Sequence, residues 1–372
     1  MFYGRDDDVA AVVSAVGATK NKPHYFIFGQ KRSGKSSLLY HIQKKLLANY
    51  HFISVEMAFA DFTIHREEHI YRHIFSAVQT TLDWDYDISV EDWTDADETS
   101  TDSMTFSQFV NNLKHINKTI EASEQWHDYR LVFFIDEFTT SYEWFVRGKI
   151  PKEFFGRWKS LQDKGLFSAV LIGQDVFRYI VRDLVHNDFG SLLNLELTYL
   201  SREAAMRLVT DPVVEASGNA DIYVGNAVQR ILYYSANSAY YTQWICSELI
   251  KYVNANRLQL ITEADVEECV HRMMNDDPNE LKVKFSPLEY SGRDPKESWQ
   301  FPREETVAVL RQVALAEISD PVRGCPRWKI HSENGRTDEF LADLVERHVL
   351  TVDNDNYKLI VKLYLLYHGL SK

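Results

Sequence analysis

The chain has 372 residues, length for about two or three domains with cores of their own. Its hydrophobic fraction of 45% and charged fraction of 26% exclude a disordered or fibrous chain. A net charge of −13 argues against a protein whose main work is gripping nucleic acid, although a local basic patch would survive that balance. Cys246, Cys269 and Cys325 are odd in number and widely spaced, which excludes a disulfide framework and points to a reducing, cytoplasmic setting. No apolar stretch reaches the length of a membrane span and no signal peptide opens the chain, so no membrane partner is expected.

Phe2-Tyr3-Gly4-Arg5 opens the chain, and Asp6, Asp7 and Asp8 begin a helix expected to run to about Gly17, with acids in its first turn suiting the helix dipole. Tyr25 to Phe28 is a short apolar run suited to a buried strand. Gly29-Gln30-Lys31-Arg32-Ser33-Gly34-Lys35-Ser36 then reads G-x-x-x-x-G-K-S, the phosphate-binding loop pattern. After it, Leu38, Ile42 and Leu46 recur four apart on one helix face. Strand, glycine loop and helix are the geometry the chemistry needs. Glycines let backbone N–H groups turn toward phosphate oxygens, and the helix N-terminus adds partial positive charge. Lys35 is expected to reach the β- and γ-phosphates of ATP, and the Ser36 hydroxyl to sit on Mg²⁺. Gly29, Lys31, Arg32, Ser33, Gly34 and Ser37 complete the expected ATP/ADP-binding run. The alternative, a chance match in a Gly/Ser/Lys-rich loop, does not explain the strand and helix on either side.

Phe52 to Met57 reads as a second strand, and residues 66–82 and 106–121 as helices. Between them Asp83 to Ser103 is acidic and polar, expected as a mobile surface excursion. Leu131 to Ile135 is a continuous apolar run apt for a central parallel strand, and it ends in Asp136-Glu137. A carboxylate at such a tip can hold Mg²⁺ through its water shell, and a second can polarise the attacking water. Asp136 is therefore the expected metal residue and Glu137 the expected general base; an apolar run that merely exits into solvent is the plainer reading. Residues 153–164 read as a helix, Ser168 to Ile172 as a strand ending at Gly173-Gln174-Asp175, and Leu193 to Leu197 as a fifth strand. Gln174, at a strand tip, is the candidate γ-phosphate sensor, set against a plain loop role. Residues 1–200 thus read as a parallel α/β sheet.

From 201 to 275 the pattern is helical, with Ser201 as a cap and Thr262 to Asp265 as a capping box. Residues 276–300 are polar, carry Pro278, Pro287 and Pro295, and read as a linker. Residues 301–372 form a separate unit: a helix from Glu304 to Ile318, a second from Thr337 to Arg347, then two short strands around Asp353 to Asn356, a hairpin signal. Helices followed by a hairpin read as a winged helix. Its second helix sets Asp338, Glu339, Asp343 and Glu346 against Arg336 and Arg347, a poor surface for phosphates. It is expected to bind protein or its own ATPase core, not nucleic acid. One further pattern, His65-x-x-Glu68-His69, matches a zinc-peptidase signature, with His73 continuing the spacing. Lying between two strands of a nucleotide-binding sheet, it reads as a solvated helix face.

The order of these features resembles the STAND branch of P-loop ATPases, close to origin-recognition and AAA+ ATPases. Phe2-Tyr3-Gly4-Arg5-Asp6 looks like the apolar-apolar-Gly-Arg-Glu signature of that branch, with Asp in place of Glu. The resemblance implies Gly4 and Arg5 in the nucleotide site, a helical lid at 201–275 and a winged helix. It implies an ATP-hydrolysing switch that controls a protein effector or sensor partner, with homo-oligomers forming on ATP binding. Relatives of this kind include regulators of immunity and cell death and antiphage ATPases of bacterial defence. ATP at the core–lid interface is expected to set the lid. In the lid such proteins show Gly-Gly-x-Pro-Tyr-Tyr; here Ala239 stands where proline is expected, before Tyr240 and Tyr241. The arginine finger is unassigned among Arg157, Arg178 and Arg182. Arg5 lies so near the start that an effector is expected as a separate partner, unless the chain is the core of a longer protein. Rival readings are a DNA-associated AAA+ loader or remodeller, and a nucleotide-bound structural module with negligible turnover.

Overall fold

The computed structural model describes residues 2–18, 22–90, 103–180, 193–219, 221–275, 277–289 and 301–370. The chain divides into two units. One holds Asp6–Gly29 and Lys35–Glu196; the other holds Met1–Arg5, Gln30–Gly34 and Leu197–Lys372.

The first unit is an α/β sheet. In chain order it contains α1 (Asp6–Ala18), β1 (His24–Gly29), α2 (Lys35–Asn49), β2 (Phe52–Ala58), α3 (Glu67–Tyr86), α4 (Phe106–Ala122), β3 (Arg130–Asp136), α5 (Thr140–Val146), α6 (Glu153–Asp163), β4 (Ser168–Gly173), α7 (Phe177–Tyr179) and β5 (Leu193–Leu197). The strand order is β2-β3-β4-β1-β5. Pairing is parallel, with Val55 opposite Phe133, Ile135 opposite Leu171 and Phe28 opposite Gly173. Every residue of β1 and β4 is buried, the mark of strands covered on both faces. Leu38, Ile42 and Leu46 of α2 are wholly buried, as their spacing requires.

Two expectations change here. Helix α3 runs four residues beyond 82, to Tyr86, because Asp83, Trp84 and Asp85 take its solvent face; Asp87, in the left-handed region, closes it. Ile88 is then buried, so the acidic excursion starts later than its composition suggests; its residues 91–102 lie outside those described. Helix α5 was not anticipated. It is short, and it is held by burial of Ser141, Tyr142 and Trp144.

The second unit contains α8 (Arg202–Ser217), α9 (Ala227–Ser235), α10 (Ala239–Asn256), α11 (Glu263–Met273), α12 (Pro278–Glu289), α13 (Arg303–Ser319), β6 (Cys325–Pro326), α14 (Thr337–Glu346), β7 (Leu350–Asp353), β8 (Asn356–Leu359) and α15 (Leu363–Leu370). Ser201 caps α8, and the Thr262–Asp265 box caps α11. Helix, short strand, helix and hairpin, with sheet order β6-β8-β7, make the C-terminal part a winged helix. One core runs through α8–α13 and the winged helix, with Leu249, Phe285, Val313 and Tyr364 among its members.

The segment read as a linker holds α12. Its polar composition conceals Leu281, Phe285 and Leu288, which share one face and are buried, while Pro278 sits at the first helical position where its missing N–H costs nothing. Glu289, buried at the end of α12, accepts from Arg303 Nε at 2.9 Å and from the Tyr364 hydroxyl at 3.2 Å. In α13, Glu317 accepts from the backbone N–H of Leu359 at 2.8 Å and from Lys362.

Among the acids of α14, Asp343 is turned inward, while Asp338 stays exposed and Glu339 partly exposed, each paired with an arginine. Asp343 is buried 3.6 Å from Arg347, Asp338 accepts from Arg327 at 2.6 Å, and Glu339 from Arg336 at 2.8 Å.

Candidate nucleotide-binding site

Strands β1, β4 and β3 are neighbours, and they end at Gly29, Gly173 and Asp136. The three expected motifs therefore share the C-terminal edge of a parallel sheet, where α/β proteins place their ligands. Lys35 opens α2 and is buried; its Nζ donates to the Gly29 carbonyl at 3.0 Å. Ser36 and Ser37 follow on the exposed side of the first turn.

At the tip of β3, Asp136 Oδ1 accepts from the Glu137 N–H at 2.8 Å. Glu137 itself has φ +50°, a left-handed conformation that costs a non-glycine residue roughly 1–2 kcal/mol. The Asp136 carboxylate is what caps that turn. Glu137 Oε2 accepts from Gln174 Nε2 at 3.0 Å. The Gln174 N–H donates to Thr139 Oγ1 at 3.0 Å, and the Phe138 N–H to the Ile172 carbonyl at 2.7 Å. A Cβ on Gly173 would lie 2.4 Å from Thr139 Cγ2. The tips of β3 and β4 are thus laced together, and the lacing aims the Glu137 carboxylate.

Of the arginines weighed as fingers, Arg157 donates to buried Glu67, which also accepts from Tyr71. Arg178 pairs with Glu196 and lies 5.6 Å from the Phe28 ring centroid. Both are engaged inside their own unit; Arg182 lies outside the described residues.

The loop tip, Gln30–Gly34, groups with the second unit. Its turn is closed by the Ser33 N–H on the Gln30 carbonyl at 3.3 Å, with φ +65° at Arg32 and +97° at Gly34. Lys31 and Arg32 are exposed. Ser33 Oγ is buried and has no hydrogen-bond partner. The Arg32 guanidinium lies 4.5 Å from the Tyr240 ring centroid and donates to the Tyr240 hydroxyl and to the Val283 carbonyl, the latter at 3.3 Å. The Gln30 amide donates to the Arg347 carbonyl. Gly4, at φ +67°, touches α8 so closely that a Cβ would lie 2.2 Å from that of Ala204; Arg5 donates to the Thr198 carbonyl at 2.5 Å. Ala239 is the first residue of α10, capped by Ser238.

These residues fit a nucleotide. The buried, unpaired Ser33 hydroxyl suits a phosphate oxygen, Lys35 supplies a cation, and Ser36 and Asp136 offer the hard oxygen donors that Mg²⁺ takes. The histidine pattern gathers no comparable set. His65 and His69 meet edge-on at 5.7 Å, His73 stacks on Phe62, and among the described residues no group of three or more metal-binding side chains forms. The sequence marks Gly173 only as a strand end and Tyr240 only as part of the double tyrosine at 240–241, and it gives no signal for Thr139.

No protein-family model and no curated protein sequence matches the chain. Solved structures do resemble it. Drosophila ORC bound to DNA aligns at 12% identity over 100% of this chain and 88% of that one, with a TM-score of 0.45. Cdc6p from Pyrobaculum aerophilum aligns at 10% identity over 98% and 94%, with a TM-score of 0.46. The RuvB branch-migration motor of Thermotoga maritima aligns at 12% over 96% and 93%, at 0.43. The fold is that of a P-loop NTPase sheet followed by a helical region and a winged helix. Among the described residues no helix is long and apolar enough to cross a membrane.

Proposed function

We propose that this chain is an ATP-binding, slowly hydrolysing AAA+-like switch of the STAND type, acting in the cytoplasm on a protein effector or sensor partner. The observation that carries the reading is the lacing of Glu137 to Gln174 on a sheet edge that also presents the phosphate-binding loop. Lys35 binds the terminal phosphates, Ser33 and the loop amides hold phosphate oxygens, and Ser36 with Asp136 would hold Mg²⁺. When bound, the metal neutralises developing charge on the phosphates. Glu137 takes the proton of the attacking water, and Gln174 keeps its carboxylate aimed. Gly4 and Arg5 are assigned to the nucleotide only through the family-like opening motif Phe2-Tyr3-Gly4-Arg5-Asp6. Slow turnover accords with a base held in a left-handed turn and committed to Gln174. Control of an effector, in bacterial defence or elsewhere, and oligomer formation rest on the STAND-like order of motifs.

Calorimetry with Mg·ATP tests the core of this reading. Wild-type protein binds, and Lys35→Ala does not; unchanged tight binding in Lys35→Ala would sink it. A DNA-associated motor is the second reading, and the pairing of Asp338, Glu339 and Asp343 favours it, because those acids are partly neutralised. Salt-sensitive submicromolar binding to duplex DNA would promote it over the switch.

A further inference from the structure

We propose that Gln30, Arg32 and Tyr240 form a clasp that sets how fast nucleotide enters and leaves the phosphate-binding loop. The proposal rests on the nucleotide-binding reading above and adds its regulation. A loop of this kind holds phosphate through backbone N–H groups, so its variable side chains are not needed for that task. Here two of them reach outward. Arg32 lies over the Tyr240 ring at the start of α10 and donates both to its hydroxyl and to the Val283 carbonyl in α12. Gln30 donates to the Arg347 carbonyl, at the C-terminal end of α14.

The anchoring points are themselves fixed. The Tyr241 hydroxyl donates to the Lys284 carbonyl at 3.3 Å, which ties α10 to α12. The Arg347 guanidinium is buried against Asp343 and donates to the Pro287 carbonyl at 3.2 Å, which ties α14 to α12. Arg32 also holds a left-handed backbone at φ +65°, a conformation that asks for outside support. Two side chains of the loop tip, those of Gln30 and Arg32, thus tie it to α10, α12 and the end of α14. Admitting or releasing a nucleotide requires the tip to open, and opening requires the clasp to break. The stack and one hydrogen bond together are worth a rate factor of roughly five to thirty.

Stopped-flow release of a fluorescent ADP analogue from the full chain tests this. Tyr240→Ala is expected to release it about tenfold faster than wild type, and Gln30→Ala severalfold faster. Arg32→Ala combined with Tyr240→Ala should be no faster than Arg32→Ala alone, because both remove one contact. Tyr240→Phe keeps the ring and loses the hydroxyl, so it should fall between. If Tyr240→Ala does not fold, the cycle of Tyr240→Phe with Arg32→Lys replaces it: non-additive rates support the clasp, and additive rates overturn it. Wild-type protein that binds no ADP analogue would refute the nucleotide reading. Wild-type protein that binds it, with Tyr240 variants releasing at the same rate, would refute the clasp alone.

Discussion

Replacing Gly173 by alanine should destabilise the sheet unit and disturb Glu137 at the same time. The new methyl would lie 2.4 Å from Thr139 Cγ2, 3.1 Å from Thr139 Oγ1 and 3.2 Å from Phe26 Cζ. Thr139 is 5% exposed and its hydroxyl accepts the Gln174 N–H, so it cannot turn aside without breaking that bond. Overpacking of this kind costs about 1–3 kcal/mol, and the lost hydrogen bond about 1 more. A total of about 2–4 kcal/mol, at roughly 2–4 °C per kcal/mol for a domain of this size, is easily read by thermal unfolding followed by circular dichroism. Adding Thr139→Ser removes the clashing methyl and keeps the hydroxyl, so the double variant should recover about half the loss or more. Unfolding of Gly173→Ala within about 0.5 kcal/mol of wild type, or no recovery with Thr139→Ser, would refute the reasoning.

Glu137→Gln should retain Mg·ATP binding while turnover falls about 10²–10⁴-fold, since the amide keeps the shape and loses the base; phosphate release at the wild-type rate would assign the base elsewhere. His24 is fully buried against Phe167 and Trp158, and burial lowers its pKa from 6.5 to about 3. The folded protein keeps it neutral while the unfolded chain protonates, so stability is present above pH 6.5 and is lost as pH falls from 6.5 toward 3. Between pH 7 and 5 the loss from this one group is about 2 kcal/mol. His368, lowered to about 4, acts in the same direction. Urea unfolding at the two pH values measures the loss, and His24→Phe should reduce it; an equal loss in that variant would remove His24 from the account.

The phosphate-binding loop and the Asp136-Glu137 strand were legible because their chemistry is local: each motif sits on the element that its own flanking residues build. Gln174 was legible as a strand tip, but its bond to Glu137 was not, because register between β3 and β4 is set by packing rather than by either strand alone. Helix α12 was obscured by Pro278 and Pro287 among polar residues, although Leu281, Phe285 and Leu288 carry the helical spacing. The acidity of α14 was legible, but composition does not say that Asp343 is turned inward on Arg347. Arg32 and Tyr240 stand 208 residues apart in the chain, and no periodicity connects them.

The pairing of Glu289 with Arg303, joined by the Tyr364 hydroxyl, ties the end of α12 to the start of α13 and to α15. Removing Arg303 would strand a buried carboxylate, so the two members of the pair have to be changed together if either is changed.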